Sequence, residues 1–240
     1  MRLNHLATAI LVLVLAVTVS APSLALPDSF EPCDGEQFGP DALCGTVTVL
    51  EDRAQSEGRT IDLRVVVLPA TGEDTREPLF LLAGGPGQGA TDLTELALGP
   101  FNPVRGSRDL ILVDQRGTGL SNRIDCPVDA EASPQTVFGH LFDPDQFREC
   151  LEEIKQHADP TLYTTDHVVD DLDEVREQLG FEKVMLWGGS GGTRTALIWM
   201  RRHPKSVVGA LLDGVAPSDF KAPSTMARGC QDTVDKMFAE

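Results

Sequence analysis

Apolar and polar positions change period several times along the 240-residue chain. The segments "GTVTVLED" and "TIDLRVVVLPA" alternate or run apolar, are rich in β-branched residues, and are separated by turn-forming residues. They predict an N-terminal pair of strands. "PLFLLA" (Pro78 to Ala83) and "DLILVD" (Asp109 to Asp114) are short continuous apolar runs, the pattern of strands buried on both faces of a parallel sheet. From Thr165 to Leu179 the residues Val168, Val169, Leu172, Val175 and Leu179 recur at spacings of three and four. With Asp166 near the start and Gly180 just past the end, this spacing predicts an amphipathic helix. "KVMLW" then reads as a strand, "TRTALIWMRRH" as a helix, "SVVGALLD" as a strand, and the residues from Ser224 on as a helix. "HLFDPDQFRECLEEIKQHADP" reads as a surface helix with polar flanks. Strands alternating with helices predict an α/β fold around a parallel sheet.

The first 25 residues follow a different rule. Arg2 supplies an early positive charge, an apolar run extends from Leu6 to Val19, and Ser23-Leu24-Ala25 is a small-x-small end. This is the pattern of a signal peptide cleaved after Ala25, and the apolar core falls short of the roughly 18 residues that an uncleaved anchor needs. A secreted or periplasmic location follows, with no stable membrane span after cleavage. A net charge of −17 excludes nucleic acid and anionic lipid as natural partners. All five cysteines lie beyond Ala25, in a compartment where disulfides persist. Pairing of near neighbours would give Cys33–Cys44 and Cys126–Cys150, although sequence does not fix connectivity. Cys230 is then left as a free thiol, an intermolecular link, or half of a bond to a residue beyond Glu240.

"VMLWGGSGGTRTAL" carries the candidate chemistry. Gly188 to Gly192 fit G-x-S-x-G, in which small residues let the chain turn sharply from strand to helix and hold a strained serine with its hydroxyl exposed. A glycine-rich turn with a serine N-cap is the plain alternative. A second feature supports catalysis. "LLAGGPGQGA" ends an earlier strand, and acyl transfer needs two backbone N–H donors at the developing oxyanion, one after the nucleophile and one from such a loop. Gly191 and Gly85 are placed to supply them. The loop lacks the Gly-Lys-Ser/Thr ending and the G-x-G-x-x-G spacing of phosphate loops, and no His/Cys/Asp spacing suggests a metal, so no cofactor is expected.

Taken in order, "AGGPGQG", "DLILVDQRGTGLS", "DDLDEVREQLGFEKVMLWGGSGGT" and "RRHPKSVVGALLDGVAP" resemble the α/β-hydrolase family of prolyl and tripeptidyl aminopeptidases, of the secreted bacterial type. The resemblance runs from about Cys44 to Pro217. It implies an α/β-hydrolase fold with a mostly parallel sheet and flanking helices. It also implies Ser190 as nucleophile, Gly85 and Gly191 as oxyanion hole, and a structural loop from Asp114 to Ser121. The chain departs from the family at Ala83, where a histidine is common, and at Gly191, where an aromatic residue is common.

In this fold the triad order is serine, acid, histidine. After Ser190 the only histidine is His203, thirteen positions along the following helix and roughly 20 Å away, too far to act as base. His140, His157 and His167 precede the serine and read as solvated. Asp213 ends the next strand, a position some α/β-hydrolases use for the acid, whereas the resemblance places both acid and histidine further downstream, after an inserted cap domain. The expected organisation is a signal peptide at 1–25, the N-terminal part of a hydrolase core at 26–222 with its sheet incomplete at the C-terminus, and the truncated start of a cap at 223–240. No catalytic histidine is then expected within the chain. The expected function is an exported serine hydrolase that releases residues or short peptides from peptide N-termini through an acyl-enzyme on Ser190. A carboxylesterase of the same fold, acting on a small acyl substrate, and a non-catalytic truncated binding protein are the alternatives.

Overall fold

The computed structural model describes residues 26–126 and 144–239, apart from Asp28, Gly35, Glu36 and Asp74. The leader at 1–25 and His140 lie outside the described residues. The strands are β1 (Glu31–Pro32), β2 (Leu43–Leu50), β3 (Thr60–Leu68), β4 (Leu79–Leu82), β5 (Leu110–Val113), β6 (Val184–Gly189) and β7 (Val207–Asp213). They form one sheet in the order β1-β2-β3-β5-β4-β6-β7. The N-terminal strands through β3 pair antiparallel, and β5, β4, β6 and β7 run parallel. The α-helices are α1 (Thr94–Leu98), α2 (Pro144–Ile154), α3 (Thr165–Gln178), α4 (Gly191–Arg202) and α5 (Ala222–Phe238).

The continuous apolar runs have a two-sided explanation. Phe80, Leu82, Ile111 and Val113 pack on one face of the sheet with α3 and α4, whereas Leu79, Leu81, Leu110 and Leu112 pack on the other with Ala97 of α1 and Phe38. Each run changes face at every residue, so each position must be apolar. Trp199 of α4 meets Phe80 edge to face at 5.3 Å, and its indole N–H donates to Asp173 at 3.1 Å, which satisfies the polar end of a fully buried ring.

The helix boundaries follow local chemistry. Thr164, extended at φ −106°, precedes α3, and Gly180 just past its end takes φ +78°, a conformation that side chains disfavour. Both neighbour pairings of cysteines are present: Cys33–Cys44 ties the N-terminal segment to β2, and Cys126–Cys150 ties the chain after β5 to α2. Cys230 is free and exposed on α5.

β7 differs from the other parallel strands. It pairs with β6 on one side and is the last strand of the sheet among the described residues, with Val208 46% and Leu211 59% exposed. The residues of α5 from 225 to 238 are exposed throughout.

Candidate active site

Ser190 joins β6 to α4 at φ 51° and ψ −115°, a conformation a non-glycine residue holds only when its surroundings enforce it. The surroundings are backbone. The Ser190 N–H donates to the Asp213 carbonyl at 2.8 Å, while the Ser190 carbonyl accepts from the Thr193 N–H at 3.1 Å and from its hydroxyl at 2.6 Å. A Cβ on Gly188 would lie 2.5 Å from the Gly192 carbonyl oxygen, so a side chain there is incompatible with the turn. Ser190 itself is exposed, and β6 and α4 together thrust it out of the sheet.

The loop after β4 lies alongside because β4 pairs with β6, Leu82 opposite Gly188. A Cβ on Gly84 would stand 3.2 Å from Ser190 Cβ, and one on Gly191 would stand 3.5 Å from the Gly85 nitrogen. The two expected donor residues are therefore neighbours beside the serine. Gly85 and Gly87 take φ +102° and +103°, and the Gly85–Pro86 peptide is cis. Gly191 is the first residue of α4, where amides have no partner within the helix and the helix dipole favours negative charge.

Asp114, fully buried at the end of β5, fixes this loop from the far side. It accepts from the Thr91 N–H at 2.9 Å, the Thr91 hydroxyl at 3.0 Å and the Leu120 N–H at 3.0 Å. Ser121 closes the same segment by accepting from the Arg64 N–H at 2.8 Å. Arg116 lies between them with its side chain fully buried. It makes a bidentate pair with Asp171 of α3 at 2.6 and 2.7 Å and donates to the Glu51 carbonyl at 2.8 Å and the Leu162 carbonyl at 3.0 Å. Periodicity alone does not reveal Asp171 or Asp173, two buried carboxylates within an amphipathic helix. The signal available is the arginine at 116 in a loop between apolar runs, which demands an acidic partner.

The histidines are elsewhere. His203 caps the far end of α4, about 18 Å along a twelve-residue helix, with its ring nitrogens 2.9 Å from Asp170 and 3.3 Å from Asp173. Burial by itself would raise both carboxyl pKa values. Hydrogen bonds from Arg202 and His203 to Asp170, and from Arg176, Ser206 and Trp199 to Asp173, outweigh it and leave both lowered. His167 stays at the start of α3, 2.8 Å from the Thr164 hydroxyl, and His157 is exposed after α2. Asp213 is exposed and contributes its backbone carbonyl to Ser190. Ser190, Gly85 and Gly191 thus come together, whereas no described histidine joins them. Among the described residues no three His, Cys, Asp or Glu side chains group as metal ligands, and no helix is long and apolar enough to cross a membrane.

A family model described as alpha/beta hydrolase fold matches residues 77–236. The serine protease Hip1 of Mycobacterium tuberculosis (strain ATCC 25618 / H37Rv) is 29% identical over 246 aligned residues, covering 92% of this chain and 46% of that protein. A proline iminopeptidase of Neisseria gonorrhoeae is 29% identical over 145 residues, 60% of this chain and 34% of its own length. The chain thus spans about half or less of the curated relatives it matches. Among solved structures, a proline iminopeptidase-related protein from Thermus thermophilus aligns with a TM-score of 0.43 at 27% identity, over 70% of this chain and 44% of that one.

Proposed function

Because this chain belongs to the α/β-hydrolase family, whose relatives include serine and proline peptidases, we propose that it carries the nucleophile of an exported serine aminopeptidase. The observation that carries the reading is Ser190 at φ 51°, exposed, with the Gly84–Gly85 backbone packed against Ser190 and Gly191. In the proposed reaction Ser190 Oγ attacks the scissile carbonyl of a peptide near its N-terminus and loses its proton to a general base. The oxyanion is held by the Gly85 and Gly191 N–H groups. The amine leaves with a proton, and water then hydrolyses the acyl-enzyme. The base and its orienting acid come from outside the described residues, and α5 opens the cap that selects the substrate. Two disulfides favour an oxidising compartment, in keeping with the leader. The product of the complete reading frame, assayed with aminoacyl amides and short acyl esters, tests the substrate class. Faster Ser190-dependent turnover of amides is expected; faster turnover of esters would replace the peptidase with a carboxylesterase, and no turnover of either would favour a binding protein.

A further inference from the structure

The end of β7 and the segment after it are fastened to Ser190 and the first turn of α4 at four points. The Asp213 carbonyl accepts the Ser190 N–H at 2.8 Å. The Thr193 hydroxyl, in a residue with no exposed surface, accepts the Ala216 N–H at 2.8 Å and donates to the Ser190 carbonyl at 2.6 Å. Arg194 reaches the Pro217 carbonyl at 3.0 Å and the Phe220 carbonyl at 3.1 Å through one terminal nitrogen. Gly214 takes φ +66°, and a Cβ there would lie 3.9 Å from the Ser190 nitrogen. The oxyanion loop on the other side is held by Asp114.

A helix needs none of this to close its first turn. Thr193 could satisfy its hydroxyl on the Ser190 carbonyl alone, and an arginine on a partly exposed helix position ordinarily extends into water. Here the two side chains are spent on backbone groups of one loop, and that loop bears directly on the residue whose strained backbone aims the hydroxyl. Resting on the serine-hydrolase reading above, we infer that Thr193 and Arg194 are positioning residues. Thr193 couples the loop to the backbone of Ser190 and so sets the aim of the nucleophile. Arg194 holds the 217–220 stretch against the start of α4, beside the nucleophile turn, where a substrate reaching Ser190 would meet it.

The two roles separate kinetically. Thr193→Val, which keeps the shape and removes the hydroxyl, should lower kcat on the order of tenfold to a hundredfold with little change in KM, because misaiming by a fraction of an ångström is felt in the transition state. Thr193→Ser should restore it. Arg194→Met should raise KM while kcat stays near wild type. These measurements use the product of the complete reading frame, below the melting temperature of each variant, with Ser190→Ala alongside. If Ser190→Ala leaves turnover unchanged, the serine-hydrolase reading fails and the inference with it. If Ser190→Ala abolishes turnover while folded Thr193→Val and Arg194→Met keep wild-type kcat and KM, the inference alone is overturned. Hydrogen exchange in the wild-type protein gives a readout free of any variant: the Ala216 amide should exchange slowly, and exchange at the rate of an exposed loop would refute the clamp.

Discussion

Replacing Gly192 by alanine puts the geometry of the nucleophile turn to a quantitative test. The added Cβ would stand 2.0 Å from the Leu82 carbonyl oxygen and 2.8 Å from that of Ala83. An ordinary carbon–oxygen approach is about 3.3 to 3.6 Å, so the turn must retreat from β4 by more than about 1 Å. Neither neighbour is a flexible side chain. Leu82 is paired with Gly188 in the sheet, so retreat also strains that pairing. Overpacking costs about 1–3 kcal/mol and each weakened backbone bond about 0.5–1.5 kcal/mol, giving about 2–6 kcal/mol in total if two bonds weaken. That is a large fraction of the roughly 5–15 kcal/mol that holds a typical domain together. Gly191→Ala is the control. Its Cβ would meet Gly85 and Gly84 backbone atoms at 3.4 and 3.5 Å, ordinary contact distances, and should change stability by less than about 0.5 kcal/mol. Urea unfolding followed by circular dichroism resolves the difference. With a slope of about 3 kcal/mol/M, Gly192→Ala should lose about 0.7–2 M of midpoint and Gly191→Ala less than about 0.2 M. Equal midpoints for Gly192→Ala and wild type would refute the packing of the turn against β4.

Further expectations concern redox state, acid and export. Peptide mapping of non-reduced residues 1–240 should recover Cys33–Cys44 and Cys126–Cys150, and a maleimide should react with Cys230 of that chain without prior reduction; Cys230 bonded to any of the other four would contradict the arrangement. Asp170 and Asp173, whose carboxyl pKa values are lowered in the folded state, contribute stability that is present above the unfolded value of about 3.8 and lost as pH falls through their folded values. Asp173→Asn should therefore melt below wild type at pH 7, with the gap closing in acid. Asp109 is the converse case: burial raises its pKa against the opposing Ala70 N–H and Arg105, so its ionisation costs stability as pH rises from about 3.8 through the folded value. Asp109→Asn should match or exceed wild-type stability at pH 7 and lose that advantage in acid. N-terminal sequencing of exported material should begin near Leu26, and intact Met1 in a membrane fraction would count against cleavage.

The parts of the molecule legible in sequence are those where one physical rule acts alone. β4 and β5 are readable because burial on both faces leaves no polar position, and the turn at Ser190 because backbone crowding at Gly188 and Gly192 tolerates no side chain. α3 is half legible. Its period marks Val168, Leu172 and Val175, but Asp171 and Asp173 are buried for the sake of Arg116 and Trp199, which are 55 and 26 residues away in sequence. No local pattern encodes such a pairing. The same holds for Thr193 and Ala216, 23 residues apart, and for β1, whose two residues are too few to show a period. β7 shows the opposite limit: an apolar run predicts a strand but not what covers it, and Val208 and Leu211 are exposed here.

The claim that Ser190 is a nucleophile aimed by its own backbone, with a base supplied from outside the described residues, is tested most directly by covalent labelling with a fluorophosphonate probe. The adduct is then located by mass spectrometry. The product of the complete reading frame should carry the probe on the peptide containing Ser190 and lose it in Ser190→Ala, while residues 1–240 expressed alone should label weakly, because a serine without a base is a poor nucleophile. Labelling that persists in Ser190→Ala would contradict the assignment of the nucleophile. Rapid Ser190-dependent labelling of residues 1–240 alone would contradict the missing base and direct attention to His140, His157 and His167.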